Sequence, residues 1–97
     1  MIDSPVALAL PAPADHVVVS DFEAGEGVMI DLHAKRYYML NETAMLVWRA
    51  LERGGTRADA ITDITRAFEI EPAEAAAAVE RFLRSLQERD LVRALAG

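Results

Sequence analysis

The chain has 97 residues, 53% of them hydrophobic and 27% charged, with 16 acidic against 10 basic side chains and a formal net charge of −6. This composition suits one globular domain with a thin core rather than a disordered segment, and its acidic balance disfavours a nucleic-acid backbone as partner, which needs a basic face. With no cysteine in the chain, a disulfide framework, a thiolate nucleophile and a zinc–thiolate site are excluded.

Residues 1–14 read as a loosely held, Pro-containing arm ahead of a single domain over 15–97. Val6 to Leu10 offers a further short strand, but Pro11 and Pro13 keep it from being long. The early Asp3, the lack of a basic start and the prolines at 5, 11 and 13 argue against a secretory signal. No apolar run approaches the roughly 20 residues of a bilayer span. The expectation is a cytoplasmic protein that makes no use of a membrane.

From His16, the segment HVVVSDF favours a first strand through three consecutive β-branched residues. Glu23 to Gly27 supplies a turn whose two glycines are able to take positive φ. In the next stretch, Val28, Ile30 and Leu32 alternate with Met29, Asp31 and His33, the period of a half-buried strand. Arg36 to Leu40 is aromatic and apolar and predicts a third strand, within which Tyr38 and Leu40 are assigned to the core and Tyr37 and Met39 to the opposite face. Asn41 then suits a helix N-cap, so a hairpin feeding directly into a helix is the hub of the chain.

The first helix is predicted over Glu42–Arg53, with Ala44, Val47, Trp48 and Leu51 on one face and Gly54-Gly55 as its stop. Thr56 with Asp59 approximates a capping box for a second helix whose face is Ile61, Ile64, Thr65 and Phe68. Pro72 suits the first position of a third helix running to about Glu88. Ala75, Val79, Phe82 and Leu86 fall on one face of it, with Leu83 beside them. Three strands followed by three helices is an α+β layout, winged-helix-like, with a three-stranded antiparallel sheet first.

Chemistry is thinly represented. Asp31 and His33 share a strand face and form the minimum of a carboxylate–base pair, but no serine is placed as their nucleophile. The two histidines show no metal-ligand spacing, and Gly54-Gly55 lacks the lysine of a phosphate loop. The reading is a protein without catalytic residues, metal or cofactor. A small sheet does leave an edge, however, and the unpaired main chain of the third strand is a template for an incoming extended peptide. The same open edge invites strand exchange between two copies, giving a dimer.

Taken together, Gly27-Val28-Met29-Ile30-Asp31-Leu32, Arg36-Tyr37-Tyr38-Met39-Leu40-Asn41, Thr43-Ala44 and Val47-Trp48 resemble the PqqD-like family, as do the later Val79, Phe82-Leu83, Leu86 and Leu91-Val92. These are peptide-recognition domains for ribosomally made, post-translationally modified peptides, and the resemblance spans about residues 16–93. It implies a non-catalytic fold that binds the leader segment of a precursor peptide as an added strand, between the third strand and the third helix. The peptide is then presented to a modifying enzyme. Mapped residue by residue, it implies an edge at Arg36, Tyr37, Tyr38 and Met39 and a helix wall of Ala75, Ala76, Val79, Glu80 and Leu83. The stand-alone form resembles the branch that serves the leader peptidase of lasso-peptide biosynthesis. The alternatives are a peptide chaperone for pyrroloquinoline quinone synthesis and, on fold type alone, a winged-helix DNA-binding protein. Asp90 stands where relatives often have Gly, which puts the end of the last helix in question.

Overall fold

The structure, a computed structural model, describes residues 10–93. The strand considered for Val6 to Leu10 therefore lies outside the described residues except at Leu10. An antiparallel sheet of β1 (Val17–Asp21), β2 (Gly27–Asp31) and β3 (Arg36–Leu40) comes first, in the order β1-β2-β3, and α1 (Glu42–Glu52), α2 (Arg57–Ala67) and α3 (Pro72–Glu88) follow. The architecture is thus the expected α+β one, with every strand and helix within a residue or two of its predicted bounds.

The helices cover one face of the sheet. Their buried residues, Met45, Val47, Trp48, Leu51, Ile64, Val79, Leu83 and Leu86 among them, join Met29 and Leu40 of the sheet in one core. On β2 the alternation is as expected, but Met29 and Asp31 point inward while Val28 and Ile30 are half-buried on the outer face and Leu32 is exposed. Periodicity fixes that two faces differ; which face the helices cover depends on what they bring to it. Gly27 contributes by close approach rather than by positive φ. A Cβ there would stand 2.6 Å from Met45 Sδ and 2.7 Å from the Ser20 carbonyl oxygen, so only glycine lets α1 settle on the sheet at this point. The left-handed positions in the preceding turn belong to Ala24 and Gly25.

Local signals in the sequence are realised at the helix ends. Asn41 accepts from the Ala44 N–H at 2.9 Å, and both bonds of the Thr56–Asp59 capping box are present. Gly54, at φ 73°, closes α1. The end of α3 has the same shape without glycine. Asp90 sits at φ 56°, and the Leu91 N–H returns to the Leu86 carbonyl at 2.9 Å. Since a left-handed residue with a Cβ costs about 1 kcal/mol, and an acid at a helix C-terminus opposes the dipole, Asp90→Gly is expected to stabilise the fold by about 0.5–1 kcal/mol. Urea denaturation followed by circular dichroism measures this; no gain would mean that Asp90 is held by something other than the turn.

The described part of the N-terminal arm, residues 10–14, lies against the domain. Leu10 and Pro11 are buried, Pro13 bridges antiparallel to Val92, and the Arg93 N–H reaches the Ala12 carbonyl at 2.7 Å. The prolines that shorten a strand here do not prevent burial: Leu10 joins the core, and the Ala14 N–H donates to the Leu91 carbonyl at 3.1 Å.

Asp31 is the buried acid of the sheet, 3% exposed. Its Oδ1 accepts from the N–H groups of His33 and Ala34, both at 3.0 Å, and His16 Nε2 lies 3.8 Å away. The imidazoles of His16 and His33 stack at 4.1 Å. The carboxylate is therefore committed to holding the β2–β3 turn, and the bond from the Ala34 N–H, helped by that from His33 and by both imidazoles, holds its pKa below the ordinary 3.8 against the opposing effect of burial. A carboxylate more acidic in the folded state adds stability above the unfolded pKa and loses it as pH falls through the folded one. Asp31→Asn, which keeps an acceptor but removes the charge, is expected to be less stable than wild type at pH 7. The gap should close as pH drops below about 3.8; a gap that persists in acid would assign the effect to shape.

Candidate functional site: the β3 edge and the α3 face

The hydrogen-bond phase of the sheet identifies which main-chain groups are free. Beyond the two ends of the β1–β2 ladder, the Leu32 N–H donates to the His16 carbonyl (2.9 Å) and the Phe22 N–H to the Glu26 carbonyl (2.7 Å), both in the register that pairs Val18 with Ile30. Directly opposed residues in an antiparallel pair alternate between bonded and non-bonded. Val28 and Ile30 therefore turn their main chain to β1, which leaves Gly27, Met29 and Asp31 turned to β3. Their partners there are Leu40, Tyr38 and Arg36. By the same alternation, the N–H and C=O groups of Tyr37 and Met39 point away from the sheet, to an edge with no neighbouring strand among the described residues.

Side chains on this strand divide as expected. Leu40 is buried and Tyr38 half-buried, whereas Tyr37 and Met39 are 75% and 67% exposed. With Val18, Val28 and Ile30, the latter two form an apolar outer sheet face.

Beside the free edge, β3 and α3 diverge and leave a cleft. Tyr38, Met39 and Leu40 line one side, Phe82, Ser85 and Arg89 the other, with Met29, Leu86 and Leu91 as its floor. The surface continues past Asn41 and Ala44 along Ala78 and Arg81 to Phe68, Ile70 and Glu74, where the hollow widens to about 660 Å³. The Arg89 guanidinium lies over the Tyr38 ring, 5.6 Å from its centroid.

The edge residues Arg36, Tyr37, Tyr38 and Met39 are thus together on β3, but the helix wall needs correction. Ala75, Val79 and Leu83 are 0%, 0% and 1% exposed and belong to the core. Glu80 is turned to α2, where its Oε2 accepts from Arg57 Nε at 2.6 Å, and the half-buried Ala76 does not line the cleft. The row that does reach it is Ala78, Phe82, Ser85 and Arg89, with Arg81 at its side. The apolar stripe of α3 is wider than one neighbour needs: Ala75, Val79, Leu83 and Leu86 fill the core, and Phe82, at the edge of the stripe, is left at the rim. That excess width is the signal by which the sequence marks Phe82.

Among the described residues no group of three His, Asp or Glu side chains is arranged to hold a metal ion, and no helix is long and apolar enough to cross a membrane.

Among the described residues the architecture is an open antiparallel sheet followed by three helices, with the outer edge of the third strand beside an apolar helix row. The family described as coenzyme PQQ synthesis protein D (PqqD) matches residues 26–92, and the chain belongs to that family. No curated protein matches it. Among solved structures, TbiB1 in complex with the TbiA(beta) leader peptide is similar at a TM-score of 0.78 and 22% identity, covering 89% of this chain and 99% of that one. A lasso peptide synthetase B1 complexed with the leader peptide is similar at 0.74 and 26% identity, covering 84% and 95%.

Proposed function

We propose that this protein is a recognition element that binds the leader segment of a ribosomally made precursor peptide as a fourth strand on β3, with α3 as the opposite wall, and presents it to a modifying enzyme. The observation that carries this reading is the outward main chain of Tyr37 and Met39 beside the Phe82–Arg89 face of α3. Edge N–H and C=O groups supply affinity for an extended peptide of any sequence, and the cleft supplies selectivity. Family membership and the likeness to two leader-bound structures, one of them of a lasso peptide synthetase B1, support the same reading. The likeness to the lasso peptide synthetase B1 is the ground for preferring a leader peptidase of lasso-peptide biosynthesis as the partner enzyme; the family's own description keeps the route to pyrroloquinoline quinone as the alternative. Binding by shape and main chain needs no catalytic residue, in keeping with a carboxylate, Asp31, that is tied to a turn.

Titration of the isotope-labelled full chain with leader segments of precursor peptides encoded beside its own gene tests the proposal. Amide shifts are expected at Arg36 to Leu40 and along Ala78 to Arg89. Shifts confined to the β1 edge or to α2, or none from a folded protein, would remove the site from β3.

A further inference from the structure

Resting on the strand-addition reading, we propose that the cleft selects acidic peptides, with two carboxylates four residues apart on one face of the bound strand and an apolar residue midway between them. The observation is where cations are left unpaired. Of the 10 basic side chains in this acidic chain, Arg49, Arg53, Arg57 and Arg93 are engaged by carboxylates within the protein. Among the described residues, those bordering the cleft are not, and neither are Lys35, Arg66 and Arg84, which stand away from it. Arg81 and Arg89 line it, and Arg36 opens the edge strand, all three without an ion-pair partner among the described residues. What sets Arg81 and Arg89 apart is their place: both stand on the α3 wall of the cleft, and no carboxylate of the described residues neutralises either, so the cleft keeps positive charge in an acidic chain.

Spacing gives the pattern. Arg81 and Arg89 are eight residues apart on α3, about 12 Å at the rise of a helix. Side chains on one face of a strand recur every second residue, so positions i and i+4 are about 13 Å apart, and position i+2 falls opposite Phe82 and Ser85. The cleft is also polar along its length. Glu74 lines the far end and would repel an acid there, and Glu26, beside Met39 and Phe82, disfavours one at the midpoint, which leaves the carboxylates to the two arginines. Guanidinium groups suit this task because they pair with carboxylates in a fixed two-point geometry.

Selection of random 12-residue peptides displayed on phage against the immobilised full chain tests the inference, with the Arg81→Glu/Arg89→Glu variant in parallel and its folding checked by circular dichroism. Enrichment of acid-x-apolar-x-acid sequences on wild type, lost or inverted to basic residues on the variant, is the expected result. A chosen acidic peptide should bind the variant at least about tenfold more weakly, the equivalent of 1.4 kcal/mol. Enriched peptides without acidic preference, or with equal affinity for the variant, would overturn the charge inference and leave strand addition standing. No enriched peptide at all would overturn both. Binding of a labelled random-sequence DNA duplex in preference to every peptide would reassign the cations to phosphate.

Discussion

Met39→Pro is expected to weaken peptide binding by about 100-fold or more while leaving the protein folded. Proline removes the N–H that points to the open edge and places its ring where an incoming carbonyl must sit. The loss of a main-chain bond, with the peptide's acceptor left unsatisfied, accounts for about 1–3 kcal/mol, or up to about 100-fold in affinity, and the ring adds exclusion. The fold tolerates the change because proline at an edge strand whose N–H faces outward breaks no ladder bond. Tyr38→Pro is the control. Its N–H faces Met29 on β2, so proline there interrupts the sheet and is expected to cost about 3 kcal/mol. Denaturation curves and fluorescence-detected peptide titration of both variants separate the effects. Wild-type affinity in folded Met39→Pro would remove strand addition at β3; equal destabilisation by the two prolines would show the hydrogen-bond phase of β3 to be the reverse of the one derived above.

Trp48→Ala is expected to have the largest effect on stability. Trp48 is 1% exposed at the centre of the core, and its indole N–H donates to Glu52 Oε2 at 3.1 Å. Truncating a buried aromatic to alanine typically costs about 3–5 kcal/mol, a large share of the roughly 5–15 kcal/mol that holds a domain together. A 97-residue chain lies toward the low end of that range, so the variant should be substantially unfolded at 37 °C. Trp48→Phe keeps most of the apolar contact and loses the hydrogen bond, and a cost of about 1–2 kcal/mol is expected. Chemical denaturation monitored at 222 nm distinguishes them. A small effect of Trp48→Ala on stability with a large one on peptide binding would place Trp48 in the site, against its burial.

The lasso and quinone readings differ in partner rather than in fold. Purified chain mixed with a candidate leader peptidase and its precursor separates them. Stimulated cleavage that Met39→Pro abolishes supports delivery of the leader; cleavage indifferent to the chain opposes it.

The sequence by itself determined what depends on near neighbours. Asn41, Thr56 with Asp59, Gly54 and Pro72 mark helix ends because capping is a matter of three or four residues, and each is realised in the structure. Alternation of apolar residues was enough to place β2 and β3, and the run from Arg36 to Asn41 was enough to identify the strand that carries the edge. Asp90 is an exception of the same local kind: it takes the left-handed turn that glycine would take more cheaply, because Leu91 must still return to Leu86.

Only the tertiary structure decided which faces are covered. Val28, Ile30 and Leu32 look as suited to a core as Met29 and Asp31, yet α1 and α3 pack on the Met29 side, for hydrophobic burial is not directional and follows whatever the helices present. The same holds for the site. Ala75, Val79 and Leu83 are apolar and helical like Phe82, but a turn of about 100° per residue on α3 sends them to the core and leaves Phe82, Ser85 and Arg89 beside β3. Which arginines remain unpaired was likewise invisible in the sequence. Their partners lie on other elements, as Asp63 does for Arg53 and Glu80 for Arg57, and only the packing of those elements shows that Arg36, Arg81 and Arg89 have no ion-pair partner among the described residues.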